Sequence, residues 1–269
     1  MRSRWGLSAT GWAVLAFLYA PVVVLAAFSF NAGRSTATWQ GFTTDWYGQV
    51  FDPSSASDTN ARGLSASLAL SVKIAGLASL LAVVLATLTA VGLRGAGRRV
   101  TLPLLALWSL PILLPDIVLG LSWHGAFDAL GMKPGFLPVL VAHATMAAAF
   151  GFVVVRARLA SLDPSLVEAA RDLGATPARA LWSVVVPHLR PALLAAFLLA
   201  FTLSFDDFMV TYFLSSPTQR TLPLKIYGIV VRGTSPLVNA LATLSLAGTL
   251  VVAFVALRIA RPAPGSAPA

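Results

Sequence analysis

Hydrophobic and polar positions segregate along this chain into long blocks. Six apolar blocks, at 7–30, 65–93, 101–121, 138–155, 191–214 and 238–259, are separated by polar or charged stretches. Each is long enough to cross a hydrocarbon layer of about 30 Å at about 1.5 Å per residue. A helix satisfies its backbone hydrogen bonds internally, which a lone strand in lipid does not. The pattern therefore predicts an all-α membrane protein: one domain over 1–260 with six transmembrane helices. A tail at 261–269, mostly Pro, Ala, Gly and Ser, is expected to be disordered. Pro21, Pro111 and Pro115 fall inside spans, where a packed bundle tolerates kinks. The first block is too long for a signal peptide and no clear cleavage site follows it, so it counts as a span.

Composition agrees. Hydrophobic residues make up 57% and charged residues 11%, against about 25% charge in a soluble domain. Mean hydropathy is +0.81. No cysteine is present, so disulfides and thiolate metal sites are excluded.

The net charge of +9 gains meaning from its placement. With both termini inside, the cytoplasmic segments hold Arg2, Arg4, Arg94, Arg98, Arg99, Arg156, Arg158, Arg171, Arg179, Arg190, Arg258 and Arg261. The outer segments hold only Arg34, Arg62, Lys133, Arg220, Lys225 and Arg232, and Lys73 lies within the second span. This bias predicts an N-in, C-in topology. It makes the basic surplus a topology signal and a contact for anionic membrane lipid, not a nucleic-acid footprint. The first outer segment carries Trp39, Phe42, Trp46 and Tyr47, which suit either an interfacial belt or a docking surface for a soluble partner.

One cytoplasmic stretch, about 160–190, is unusually polar for so apolar a chain. Asp163 and Pro164 suit the N-cap and first position of a helix. Glu168, Ala169 and Ala170 favour helix, Gly174 suits a C-terminal cap, and Thr176-Pro177 restarts a second helix. Pro187 is expected to end that helix before the fifth span. By these features alone the stretch is either a plain connection of surface helices or a lever with an exposed end. Its spacing adds more. Glu168, Ala169, Ala170, Gly174, Val184, Val186 and Pro187 resemble the EAA loop of ABC importer permeases, with Val186 in place of the usual Leu. In that family the loop forms coupling helices seated in a cleft of the cytoplasmic ATPase.

The resemblance extends along the chain. Trp39-Gln40-Gly41-Phe42, Pro115-Asp116-Ile117-Val118, Ser204-Phe205-Asp206-Asp207 and Leu222-Pro223-Leu224-Lys225 are similar to segments of the second permease of spermidine/putrescine importers. It implies a MetI-like permease fold in a bacterial inner membrane and a polyamine substrate. It also implies a homologous second permease, two copies of a cytoplasmic ATPase and an extracytoplasmic binding protein. ATP and magnesium would then be bound by the ATPase, and this chain would need no cofactor or metal. A related permease for another small solute, such as an amino acid or opine, stays open.

The apolar spans contain acids, each of which costs about 2.5–3.5 kcal/mol at a helix centre. Such residues are functional candidates. Asp116 lies 15 residues past Thr101, and Asp206 lies 15 past Pro191. Both are thus about 22 Å from the cytoplasmic side, at one level, where carboxylates can accept ammonium groups. Neighbours on a helix point about 100° apart. Asp207 shares a small, polar stripe with Ala200, Ser204 and Thr211, and Asp206 a bulkier one with Leu199 and Met209. That phase turns Asp207 toward a pathway and Asp206 toward a neighbouring helix or the outer vestibule. Structural alternatives are a pairing with Lys73, or Asp206 capping a break in the helix. Trp123 and Tyr212 suit either cation contacts or interfacial anchoring. His143 is expected to be hydrogen-bonded within the bundle.

Enzyme readings lack support: there is no GxxxxGK[ST] loop and no GxSxG elbow. A stand-alone secondary transporter is the remaining alternative, and it has no need of the 168–187 stretch.

Overall fold

The computed structural model describes residues 2–33, 35, 38–51, 63–231 and 236–260. The tail at 261–269, and Arg34, Arg62 and Arg232 of the charge count, lie outside these. Among the described residues the regular elements are all helical. Among these residues five helices are long and apolar enough to cross a membrane, and one bent pair passes the same test when its two helices are taken together. Two compact units are present, residues 1–68 with 225–250, and 69–224 with 251–269.

The first unit begins with α1 (Arg2–Phe28). The outer segment after it is organised by Asn31, which is fully buried. Its Nδ2 donates to the carbonyls of Ser35 and Thr38, both at 2.9 Å, and its Oδ1 accepts the Gln40 N–H at 2.8 Å. A short antiparallel bridge pairs Asn31 with Phe42. The next helix, α2 (Asp45–Phe51), buries Trp46, whose Nε1 donates to the Asn31 carbonyl at 2.7 Å. Trp46 is thus a core residue of this segment, while Trp39 and Phe42 stay exposed.

The second unit is built on close packing of small residues. Along α3 (Leu64–Gly92), Ala78, Ala82, Ala86 and Ala90 recur every fourth residue and are buried. In lipid there is little hydrophobic drive between helices, so small residues that let backbones approach supply the contact. They meet α6 (Phe136–Ala160) and the later span at an Ala82, Ala147, Ala148 and Ala200 cluster.

The expected third span, 101–121, is not one helix. α4 (Arg98–Leu113) and α5 (Asp116–Ala129) meet at a 112° bend. Pro115 explains the break: it removes a donor and pushes Leu114 out of helical conformation, to ψ 140°. The fifth span also differs from expectation. α7 (Pro164–Asp172) and α8 (Pro177–Ala180) lead through a π turn (Leu181–Val185) directly into α9 (Val186–Phe205). The span breaks at 206–208 and resumes as α10 (Met209–Leu214). α11 (Leu222–Val230) and α12 (Pro236–Ala260) complete the described chain.

Candidate functional site

The cytoplasmic stretch forms two short helices around Gly174. Asp163 caps α7 by accepting the Ser165 N–H at 2.9 Å, and Thr176 caps α8 by accepting that of Arg179 at 3.3 Å. Gly174 has φ +83°, a left-handed value that suits glycine. The Ala175 N–H donates to the Ala170 carbonyl at 3.0 Å and the Gly174 N–H to that of Arg171 at 2.9 Å. These two bonds make a Schellman cap and satisfy the last carbonyls of α7. Glu168, Ala169 and Gly174 are exposed, and Ala170, Val184 and Pro187 are half-buried. Val184 packs on a buried cluster with Val155, Leu159, Val185 and Leu189, so the stretch is anchored to the inner ends of α6 and α9. Its free side presents apolar residues: Leu173 is 90% and Trp182 69% exposed.

Pro187 does not end a helix, contrary to the sequence expectation. The π turn just before it adds a residue to the helical circuit, and the Val186 N–H reaches back to the Leu181 carbonyl. This extra residue relieves the clash a proline makes with the carbonyl four residues earlier. The second loop helix and the fifth span are therefore one continuous rod from Pro177 to Phe205.

At the outer end of that rod the acids separate. Helical phase turns Asp207 toward an open path, but the structure buries it to 9% exposure and leaves Asp206 exposed. Two features account for the reversal. The small stripe at Ala200, Ser204 and Thr211 makes room for the imidazole of His143, which is fully buried on α6. In addition, the helix stops at Phe205, so phase does not carry across the break. Asp207, rather than Asp206, caps the resumed helix: its carboxylate accepts the Thr211 N–H and hydroxyl, each at 2.9 Å. His143 Nε2 lies 3.1 Å from the same carboxylate oxygen, and its Nδ1 lies 2.8 Å from Ser204 Oγ. His143 is thus hydrogen-bonded within the bundle, as expected, but to an acid the sequence reading had assigned elsewhere.

Asp116 is exposed at the head of α5. One turn further on, Gly120 rests on α10. A Cβ there would sit 2.8 Å from the Phe213 ring and 3.2 Å from the Met209 carbonyl. Asp116 is about 6 Å of helix rise from this contact, so the elbow packs on the helix that follows the break. Trp123 stacks on Phe127 at 5.3 Å and lines a cavity of about 410 Å³ inside the elbow, with Trp108, Pro111, Leu114, Thr145 and Met146. Tyr212 is 54% exposed and packs its ring against Phe208 and Phe213. Lys73, the suggested partner for an acid, holds its ammonium 4.9 Å over the ring of Phe136.

Residues 78–262 match a family model described as binding-protein-dependent transport system inner membrane component. The chain is 38% identical over 249 residues to the spermidine/putrescine transport system permease protein PotC of Escherichia coli (strain K12), covering 93% of this chain and 91% of that one. It is 37% identical over 247 residues to the putrescine transport system permease protein PotI of the same strain, covering 89% and 85%. In fold it is similar to a chain of a bacterial ABC transporter involved in the import of the acidic polysaccharide alginate. That likeness has a TM-score of 0.68 at 17% identity and covers 97% of this chain and 98% of that one.

Proposed function

The chain belongs to the binding-protein-dependent transport system inner membrane components, and from that premise we propose that it forms half of a membrane path for polyamines such as putrescine and spermidine. Relatives at 37% and 38% identity bear those substrates in their names. The observation that carries the reading is the exposed Asp206 at an interruption of an apolar span. An acid in such a span needs a compensating partner. Asp207 has one inside the chain, whereas Asp206 faces outward, beside the elbow headed by Asp116. A polyamine entering the membrane sheds water from its ammonium groups and needs acceptors in return. Asp116 and Asp206 supply them, with Trp123 and Tyr212 offering ring faces to the same cations. Asp207 acts at one remove, by holding the break.

The work comes from elsewhere. An extracytoplasmic binding protein delivers substrate, a homologous permease supplies the other half of the path, and two copies of a cytoplasmic ATPase bind ATP and magnesium. This chain binds no cofactor of its own. The exposed Leu173 and Trp182 suit a seat in the ATPase. Because helix runs unbroken from Pro177 through the π turn to Phe205, a push delivered to α8 reaches the break at 206–208 directly, and α7 with Glu168 acts on it through the Gly174 turn.

The test is uptake by the assembled transporter in vesicles. Asp206→Asn keeps the size of the side chain and removes its charge. It should lower putrescine and spermidine uptake at least about tenfold, the scale of a lost hydrogen bond to a charged group. Wild-type uptake by that variant would remove the acid from the path.

A further inference from the structure

His143 touches both sides of the break in the fifth span. Its Nδ1 meets Ser204 at 2.8 Å in the last turn of α9. Its Nε2 meets Asp207 at 3.1 Å in the break and Thr211 at 3.0 Å in the first turns of α10. Nothing in the transport scheme above uses this residue. We propose that His143 is a positioning residue for transport: a staple from α6 that holds the two halves of the broken span in register and so sets the direction of the Asp206 carboxylate. This rests on the reading that Asp206 faces the path.

Three facts support the staple. The ring is fully buried, so no water competes for its nitrogens. Its bonds need no particular charge state: Nε2–H donates toward Asp207, and Nδ1 accepts the Ser204 hydroxyl proton when neutral or donates when charged. Asp206 lies between the stapled residues, two after Ser204 and one before Asp207. With those neighbours held, its backbone has little freedom to turn, although its own side chain is exposed. α6 is a sound anchor, since Ala142, Ala144, Ala147 and Ala148 on the same helix are buried.

The test measures polyamine uptake per ATP hydrolysed by the assembled transporter in vesicles, a ratio that loss of intact complex does not move. His143→Leu should lower the ratio at least about tenfold. Adding Asp206→Asn to it should lower the ratio little further, because both changes disable the same carboxylate. Multiplicative losses would instead make His143 an independent structural residue and overturn the staple alone. An inert Asp206→Asn would overturn both the staple and the pathway reading.

If His143→Leu does not assemble, two milder variants decide. His143→Gln places an amide near the position of Nε2 and keeps only the Asp207 side, and His143→Asn reaches only the position of Nδ1 and keeps only the Ser204 side. A staple needs both, so each variant should lower the ratio toward the Leu value. A wild-type ratio in either variant would overturn the staple.

Discussion

Asp163 and Asp207 each cap a helix, and they do so in opposite settings. Asp163 is exposed at the cytoplasmic face and accepts the N–H of Ser165, two residues along. Asp207 is buried among α6, α9 and α10 at the break in the fifth span. It accepts from Thr211, four residues along, and from His143, 64 residues back in the chain. The first cap is complete within its own turn and can move with its helix. The second ties its helix to another span. The difference separates a part that has to move as a lever from a part that has to hold a charged group still.

The largest break of this contrast should come from removing the two caps in parallel. Asp207→Ala removes the acceptor of the Val210 and Thr211 N–H groups and one partner of His143 Nε2, all in a buried place. Each buried donor left without an acceptor costs about 1–3 kcal/mol, so thermal unfolding of the purified protein should begin several degrees lower. Asp163→Ala should leave the same transition nearly in place. Equal shifts in the two variants would erase the distinction between them.

The glycines repeat the contrast through sterics. At Gly120 a methyl group meets the Phe213 ring at 2.8 Å and the Met209 carbonyl at 3.2 Å. Overpacking of this kind costs about 1–3 kcal/mol, and Gly120→Ala should lower both stability and polyamine uptake. At Gly174 nothing lies within 4 Å, and the difficulty is the φ of +83°. A side chain in that conformation costs about 1–2 kcal/mol. Gly174→Val should therefore unfold within a few degrees of wild type and yet lose uptake per ATP, since the turn that shapes the lever is distorted. A Gly174→Val transporter with full uptake would show that the loop does not transmit motion.

The same contrast explains what the sequence could convey. At 163–177 the N-caps, the left-handed glycine and the second helix start each depend on residues within a few positions, so spacing alone predicts them. Pro187 misled because the π turn that accommodates it has no composition signal. Leu181-Trp182-Ser183-Val184-Val185 reads as ordinary helix. The elbow at Pro115 was readable as a kink, but not its 112° size, which depends on what α5 packs against. The Asp206–Asp207 pair was readable as a site because charge in an apolar span stands out. Its orientation was not readable, because it depends on His143, on a different span. The small residues opposite were the one available signal: Ala200, Ser204 and Thr211 leave a space that a neighbouring helix fills.

The smallest effect should be a pH dependence confined to the exposed cap. Hydrogen bonds from the Ser165 backbone and side chain hold the Asp163 carboxyl below its ordinary value, against slight desolvation. A carboxylate whose pKa is depressed by folding stabilises the fold above its unfolded value, about 3.9, and loses that contribution as pH falls through the folded one. At neutral pH the cap is whole, and uptake is blind to it. As pH falls through that lowered value the carboxyl gains a proton, and the first turn of α7 should fray. Amide exchange at Ser165 and Leu166, corrected for intrinsic rates, should then lose protection in the wild type. Asp163→Asn still caps, since an amide oxygen accepts the same N–H, but it has no proton to gain. Its protection should be flat across that range. A flat wild-type profile would mean that the carboxylate charge does not hold this turn, and the local half of the contrast would rest on Gly174 and Thr176 alone.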